Sequence, residues 1–147
     1  PPKGANLFRS GIRCHEGVNF VGTRVDNNGL EFPYIDEGVG AVTGREGQLG
    51  KFKMSSLRNI EMTAPYMHDG RFATLEEVVD HYDSGVVDNP NLGGPMRNQD
   101  GSVLRLNLSE SEKAALVAFM LTLTDETVLT DSKWSDPFAS GAQSLGL

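Results

Sequence analysis

From residue 16 to residue 56 the sequence carries eight glycines (Gly17, Gly22, Gly29, Gly38, Gly40, Gly44, Gly47, Gly50) and no sustained hydrophobic period. About forty residues without a helical or strand repeat is a long stretch to fit inside a compact domain. Such a segment either stays disordered or wraps around something. Phe20, Phe32, Tyr34 and Phe52 are spread through it. Disordered segments are poor in aromatics, so wrapping is the expectation. The chain has 147 residues, of which 38% are hydrophobic. That length suits one domain, 1–147, with a core of its own. Few apolar side chains and many glycines point to a centre filled by more than side chains, and a bound cofactor would fill it.

The formal net charge is −7. An acidic chain does not suit nucleic acid, whose phosphates demand clustered Lys and Arg. It suits solubility, or a basic protein partner drawn in by long-range steering. The one cysteine, Cys14, excludes an intrachain disulfide and leaves the redox compartment unread. No run of 18 or more apolar residues exists, so no membrane span is expected. No signal peptide is visible. The chain opens at Pro1 rather than Met, as a mature form or fragment with its leader removed would.

Regular structure is expected in three places. Residues 4–10, GANLFRS, read as the end of a short helix with Leu7 and Phe8 inward. Thr74-Leu75-Glu76-Glu77 is a capping box, in which the Thr hydroxyl and the Glu carboxylate satisfy free backbone N–H groups. Leu75, Val78, Val79 and Tyr82 follow at helical spacing, and Gly85 stands where a C-cap glycine would. Residues 86–106 are a loop punctuated by Pro90, Gly93, Gly94 and Pro95. A second capping box, Ser109-Glu110-Ser111-Glu112, opens the clearest helix, with Leu116, Phe119, Met120 and Leu123 as its apolar stripe. The tail 125–147, with Trp134, Pro137 and Phe138, is expected to lie over the domain as an extended C-terminal strap. There is no internal repeat.

Cys14 and His15 are adjacent, just after the first helical stretch. A c-type haem is held by thioether bonds from cysteine sulfur, and the histidine directly after the last cysteine reaches the iron; the usual form is C-x-x-C-H. Residues 11–15 read Gly-Ile-Arg-Cys-His, without the first cysteine. Taken alone, such a pair is more often structural, since a buried free cysteine behaves as a small hydrophobe.

The segment 52–82, FKMSSLRNIEMTAPYMHDGRFATLEEVVDHY, resembles the central motif of the di-haem cytochrome c peroxidase and MauG family. Leu7-Phe8 followed by Cys14-His15-Glu16-Gly17-Val18-Asn19-Phe20 resembles the family's haem-attachment region. LNLSESEKAALVAFMLTLTDE, ending at Glu126, resembles its closing helix, and Trp134-Ser135-Asp136-Pro137-Phe138 its tail. The likeness runs in order along almost the whole chain and matches the family's C-terminal haem c domain. It implies a mainly α, cytochrome c-like fold with long glycine-rich loops. In the family the N-terminal haem meets peroxide and the C-terminal haem relays electrons.

By the same resemblance, Cys14 is a thioether anchor and His15 the proximal iron ligand. The family's distal ligand follows the T-L-E motif, as methionine in the peroxidases and tyrosine in MauG; the matching position is Tyr82. A tyrosinate oxygen is a hard anionic donor that stabilises ferric iron relative to a thioether. A core tyrosine is the bland alternative. Met96, in a loop, is the rival ligand. Met120 at helical spacing reads as core and Met67 as packing, with Met54 and Met62 the remaining methionines. His68 is either support for a ligand, part of a path between domains, or a structural histidine. Arg58 pairs with a haem propionate, as a guanidinium forks onto a carboxylate, or is structural. Backbone oxygens at positions matching Thr63 and Pro65 help bind calcium in the family, with a further ligand from the other domain; calcium is the weaker cofactor expectation.

Between Phe8 and Cys14 the attachment region is about three residues shorter than the family's usual form. Either haem c is held by a single thioether or residues are missing from the sequence at this point; iron ligation by His15 does not itself require the missing sulfur. The expected role is electron transfer to a peroxidatic haem on an N-terminal domain or separate chain. Electrons would arrive from a small donor, a cytochrome c or a cupredoxin. The other readings are a stand-alone mono-haem carrier or sensor, and a structural domain without haem. Because c-type haem is attached outside the bacterial cytoplasm, the resemblance implies a periplasmic or otherwise exported protein.

Overall fold

The fold is given by a computed structural model that describes residues 25–135. Cys14, His15, residues 4–10, Phe20, Pro137 and Phe138 lie outside the described residues.

Both capping boxes form. The Thr74 hydroxyl accepts from the Glu77 N–H at 3.2 Å, and the Glu77 carboxylate accepts from the Thr74 N–H at 3.1 Å. This starts helix α2, Leu75–Asp80. Ser109 and Glu112 make the same exchange ahead of helix α3, Glu110–Leu121. Two shorter α-helices, α1 (Val39–Thr43) and α4 (Thr127–Thr130), stand beside several 3₁₀ turns among the described residues. Acidic residues crowd the first turns of α2 and α3, where the positive end of the helix dipole favours them.

The core forms where α2 meets α3. Leu75, Val78 and Val79 are buried with Tyr66 and Met120, and Ile60, Met67, Phe72, Tyr82, Leu108, Leu116 and Val117 pack against them. Val79 is only 2% exposed; burying one such side chain contributes about 1.5–3 kcal/mol. The inward face of α3 is therefore Leu116, Val117 and Met120. Phe119, expected on that stripe, is 43% exposed, because the helical phase that buries Met120 turns its neighbour toward the opposite side.

The end of α2 departs from expectation. Residues His81–Gly85 continue the helix as a π turn, and the chain leaves it at Val86 in extended conformation. Gly85 is not left-handed. It lies within the turn instead of capping it, and a Cβ there would stand 3.3 Å from His81 Nδ1, a tight contact that glycine avoids.

The glycine-rich segment is less irregular than its composition implies. Strand β1 (Val25–Asp26) pairs antiparallel with β2 (Phe52–Lys53), in register Val25↔Lys53 and Asp26↔Phe52. Two-residue strands are too short to show a period in sequence. Gly50, at φ 66°, lets the Tyr34 ring and Asn27 approach where a Cβ would collide at 2.5 and 2.6 Å. The described part of the tail is not extended. It makes α4 and a 3₁₀ turn at Ser132–Trp134, with Trp134 70% exposed.

Candidate functional site

Tyr82 stands on the π turn, half-buried beside the core. The turn widens the helix by one residue, a distortion frequent at functional sites. Three ties hold it. Asp83, buried one residue on, accepts the Leu108 N–H at 2.8 Å, and its own carbonyl accepts from Leu106 at 3.0 Å. Lys113 of α3 reaches Asp80 at 2.7 Å and Asp83 at 3.6 Å. Arg105 donates to the Ser84 carbonyl.

Burial raises the Tyr82 phenol above its ordinary pKa of 10.0, a push that the Asn28 side chain opposes. Asn28 also donates from Nδ2 to the Met67 sulfur at 3.2 Å. Its backbone carbonyl accepts from His81 Nε2 at 2.9 Å. His81 is 6% exposed, meets Tyr82 edge to face at 5.1 Å and lies 5.6 Å from the Phe72 ring. Burial holds its pKa below the ordinary 6.5.

The segment that carries Asn28 is fixed by the 86–93 loop. Buried Asn27 accepts from Gly29 N–H at 2.8 Å and from Asn89 Nδ2 at 3.1 Å, and its carbonyl accepts from Gly93 N–H at 2.9 Å. Val87 N–H bonds to the Gly29 carbonyl at 2.8 Å. Nothing in the run Asn27-Asn28-Gly29 signals a partner more than fifty residues on, so sequence reasoning passed over Asn28. Its only local signal is that of a turn.

The other candidates lie apart from Tyr82 or bear on it indirectly. His68 is exposed and stacks on Phe52, rings 3.6 Å apart and 9° from parallel. The pair edges a shallow, open depression also lined by Asn27, Asn28, Glu31 and Tyr34. Arg58 is exposed, and its charge adds a minor part to the lowering of the Asp125 pKa that the Thr127 hydrogen bonds chiefly cause. Met96 is half-buried in a 3₁₀ turn, Gly94–Met96. Thr63 and Pro65 are exposed. Met67 packs against the core and Met120 is buried in it.

The donor set on the described side suits a ferric haem. A phenol oxygen is a hard donor for ferric iron. In this setting a free phenolate is disfavoured by burial, and a metal charge is what offsets that penalty.

No protein-family model matches the sequence. Individual proteins do match. The chain is 33% identical to the cytochrome c551 peroxidase of Nitrosomonas europaea, over 84% of this chain and 34% of that protein. It is 43% identical to the cytochrome-c peroxidase IdrP2 of a Pseudomonas species, over 65% of this chain and 23% of that protein. It is 35% identical to the methylamine utilization protein MauG of Paracoccus denitrificans, over 76% and 34% respectively. Among solved structures, a MauG-like protein associated with microbial copper homeostasis superposes with a TM-score of 0.64 at 33% identity, over 92% of this chain and 46% of that one. By fold and by relatives, then, this chain groups with the cytochrome c peroxidases and MauG proteins. It belongs to the cytochrome c peroxidase and MauG family. The chain spans about a quarter to a third of the length of the curated peroxidases it matches.

Proposed function

We propose that this chain is the electron-relaying haem c domain, of C-terminal type, in a cytochrome c peroxidase or MauG-like oxidoreductase. The observation that carries the reading is Tyr82: a half-buried phenol on a π turn, at the motif position where the family places its distal ligand. His15 and Tyr82 would hold the iron, Cys14 would anchor the porphyrin by one thioether, and Arg58 would offer its guanidinium to a propionate. Bound haem supplies a one-electron couple between ferric and ferrous iron. The chain's own residues do the rest. The core at α2 and α3 fixes the π turn, Lys113 and Asp83 hold it to α3, and the Tyr82 oxygen is kept from bulk water.

With both iron ligands supplied by its own side chains, this domain would serve to pass electrons to a peroxidatic haem on another domain or chain. The net charge of −7 favours a small donor, cytochrome or cupredoxin, with a basic docking face. No helix among the described residues is long and apolar enough to cross a membrane. Export to the periplasm follows from the haem type.

The test is the visible spectrum of material matured with the c-type haem machinery. A Soret band and a pyridine haemochrome typical of one thioether are expected. Tyr82→Phe then changes the ferric spectrum and raises the potential. A colourless, well-folded product would sink the reading.

A further inference from the structure

Nothing in the sequence between Leu75 and Gly85 calls for a π turn. There is no proline in it, and a plain α-helix would satisfy the same backbone. The widening is held by the chain packed beside it, and Asp83 takes most of the ties. Its carboxylate accepts the Leu108 N–H at 2.8 Å through Oδ1, and Oδ2 faces Lys113 Nζ at 3.6 Å. Its backbone carbonyl accepts the Leu106 N–H at 3.0 Å. Asp83 is buried, and a carboxylate withdrawn from water is stable only where donors meet it. Shifting the helix by one residue turns each side chain through about 100°, which would carry the carboxylate away from Leu108. The residue on the other side of Tyr82 is held in the same manner. His81, also buried, places Nε2 2.9 Å from the Asn28 carbonyl; a carbonyl only accepts, so Nε2 carries the proton. Tyr82 thus stands between two buried polar neighbours, each pinned to the backbone of a different segment.

We propose that Asp83 is the positioning residue for Tyr82: its carboxylate, seated on the Leu108 amide, sets the register of the π turn and with it the direction in which the phenol leaves the helix. The inference rests on the reading of Tyr82 as an iron ligand. A site works when its groups are held within about 0.5 Å of their productive positions by packing and supporting hydrogen bonds. A phenol on a turn free to slip would share the iron with other geometries. The pin needs the acceptor oxygen and not the charge, because Lys113 lies closer to Asp80, at 2.7 Å, than to Asp83.

The test uses the haem-loaded full chain, read by ferric absorption and paramagnetic resonance spectra and by reduction potential. Asp83→Ala removes the acceptor. A second ferric species resembling that of Tyr82→Phe is expected, with the potential raised part of the way toward that variant's. Asp83→Asn keeps an oxygen for the Leu108 N–H and gives up the charge, so a single species with the wild-type spectrum is expected. Thr74→Ala removes the cap at the far end of the same helix and is the control for lost stability alone; its ferric spectrum should not change. A wild-type spectrum and potential in Asp83→Ala overturns the inference, whatever the melting temperature. So does an Asp83→Asn variant as disturbed as Asp83→Ala, or a Thr74→Ala variant with the same spectral change. Where Asp83→Ala yields no loaded protein, Asp83→Ser takes its place, its hydroxyl one bond too short to reach Leu108, and is judged by the same outcomes. Tyr82→Phe in parallel separates the two failures. If it alters the ferric spectrum while Asp83→Ala does not, only the role of Asp83 falls. If it too is silent, the ligand assignment falls and takes this inference with it.

Discussion

Single residues in the loops around the site are constrained by space and by charge. Gly29 adopts φ +69°, and a Cβ there would lie 2.6 Å from Val86 Cγ1 and 2.8 Å from the Val87 carbonyl. The left-handed backbone alone costs a non-glycine residue about 1–2 kcal/mol, and the collision with a carbonyl adds to it. Gly29→Ala should therefore lower stability by about 2 kcal/mol or more, seen as a reduced denaturation midpoint. Arg71 is constrained by charge. It bonds Asp69 at 2.7 Å and Glu31 at 2.6 Å, and takes the Leu30 carbonyl at 3.0 Å. Those hydrogen bonds hold both carboxylates below their ordinary values of 3.8 and 4.5. A depressed carboxylate stabilises the fold in full above its unfolded value and loses that contribution as the pH falls through its folded value. Urea midpoints should thus fall on acidification below about pH 4.5, and Arg71→Gln should flatten that slope. A slope equal to the parent's would show that the staple contributes nothing to acid stability.

Elements repeat the lesson at larger size, and here the sequence was most legible. The two capping boxes were readable because their chemistry is local, four residues long in each case. Ser109→Ala removes the hydroxyl that accepts the Glu112 N–H, and should cost about 1 kcal/mol, measurable in a melt. The buried faces of Leu75, Val78, Val79 and Met120 were equally plain, since helical spacing announces them. The π turn was not. Leu75, Val78, Val79 and Tyr82 fit ordinary α spacing up to the last turn, and the widening is imposed from outside by Leu108, Lys113 and Arg105. Phe119 was misassigned for the same reason: four apolar residues compete for one face, and only the packing partner decides which of them loses. Two-residue strands carry no pattern at all.

For the whole molecule, kinship came from the motif at 52–82, and the relatives place the chain in one family while it spans only a fraction of their length. The place of Tyr82 beside the core was legible because it closes the helical run that starts at Leu75. Asn28 was not, because its partners are set by how the glycine-rich segment folds back. If an acidic surface steers a basic donor, electron entry into the loaded protein should slow as ionic strength rises, since exposed charges are screened beyond a Debye length of about 8 Å at physiological salt. Stopped-flow reduction by a basic cytochrome against salt concentration measures it, and a flat profile removes steering from the account.

The stitching of 25–30 to 86–93 has one more outcome. Gly29 N–H ends on Asn27 Oδ1, Gly93 N–H on the Asn27 carbonyl, and Val87 N–H on the Gly29 carbonyl. None of these three protons can meet deuterated solvent unless its neighbours let go as well. Such contiguous units open cooperatively, apart from the helical core. In native-state isotope exchange the three amides should label at one shared rate, faster than those of Val79 and Met120, marking the two loops as a separate cooperative block.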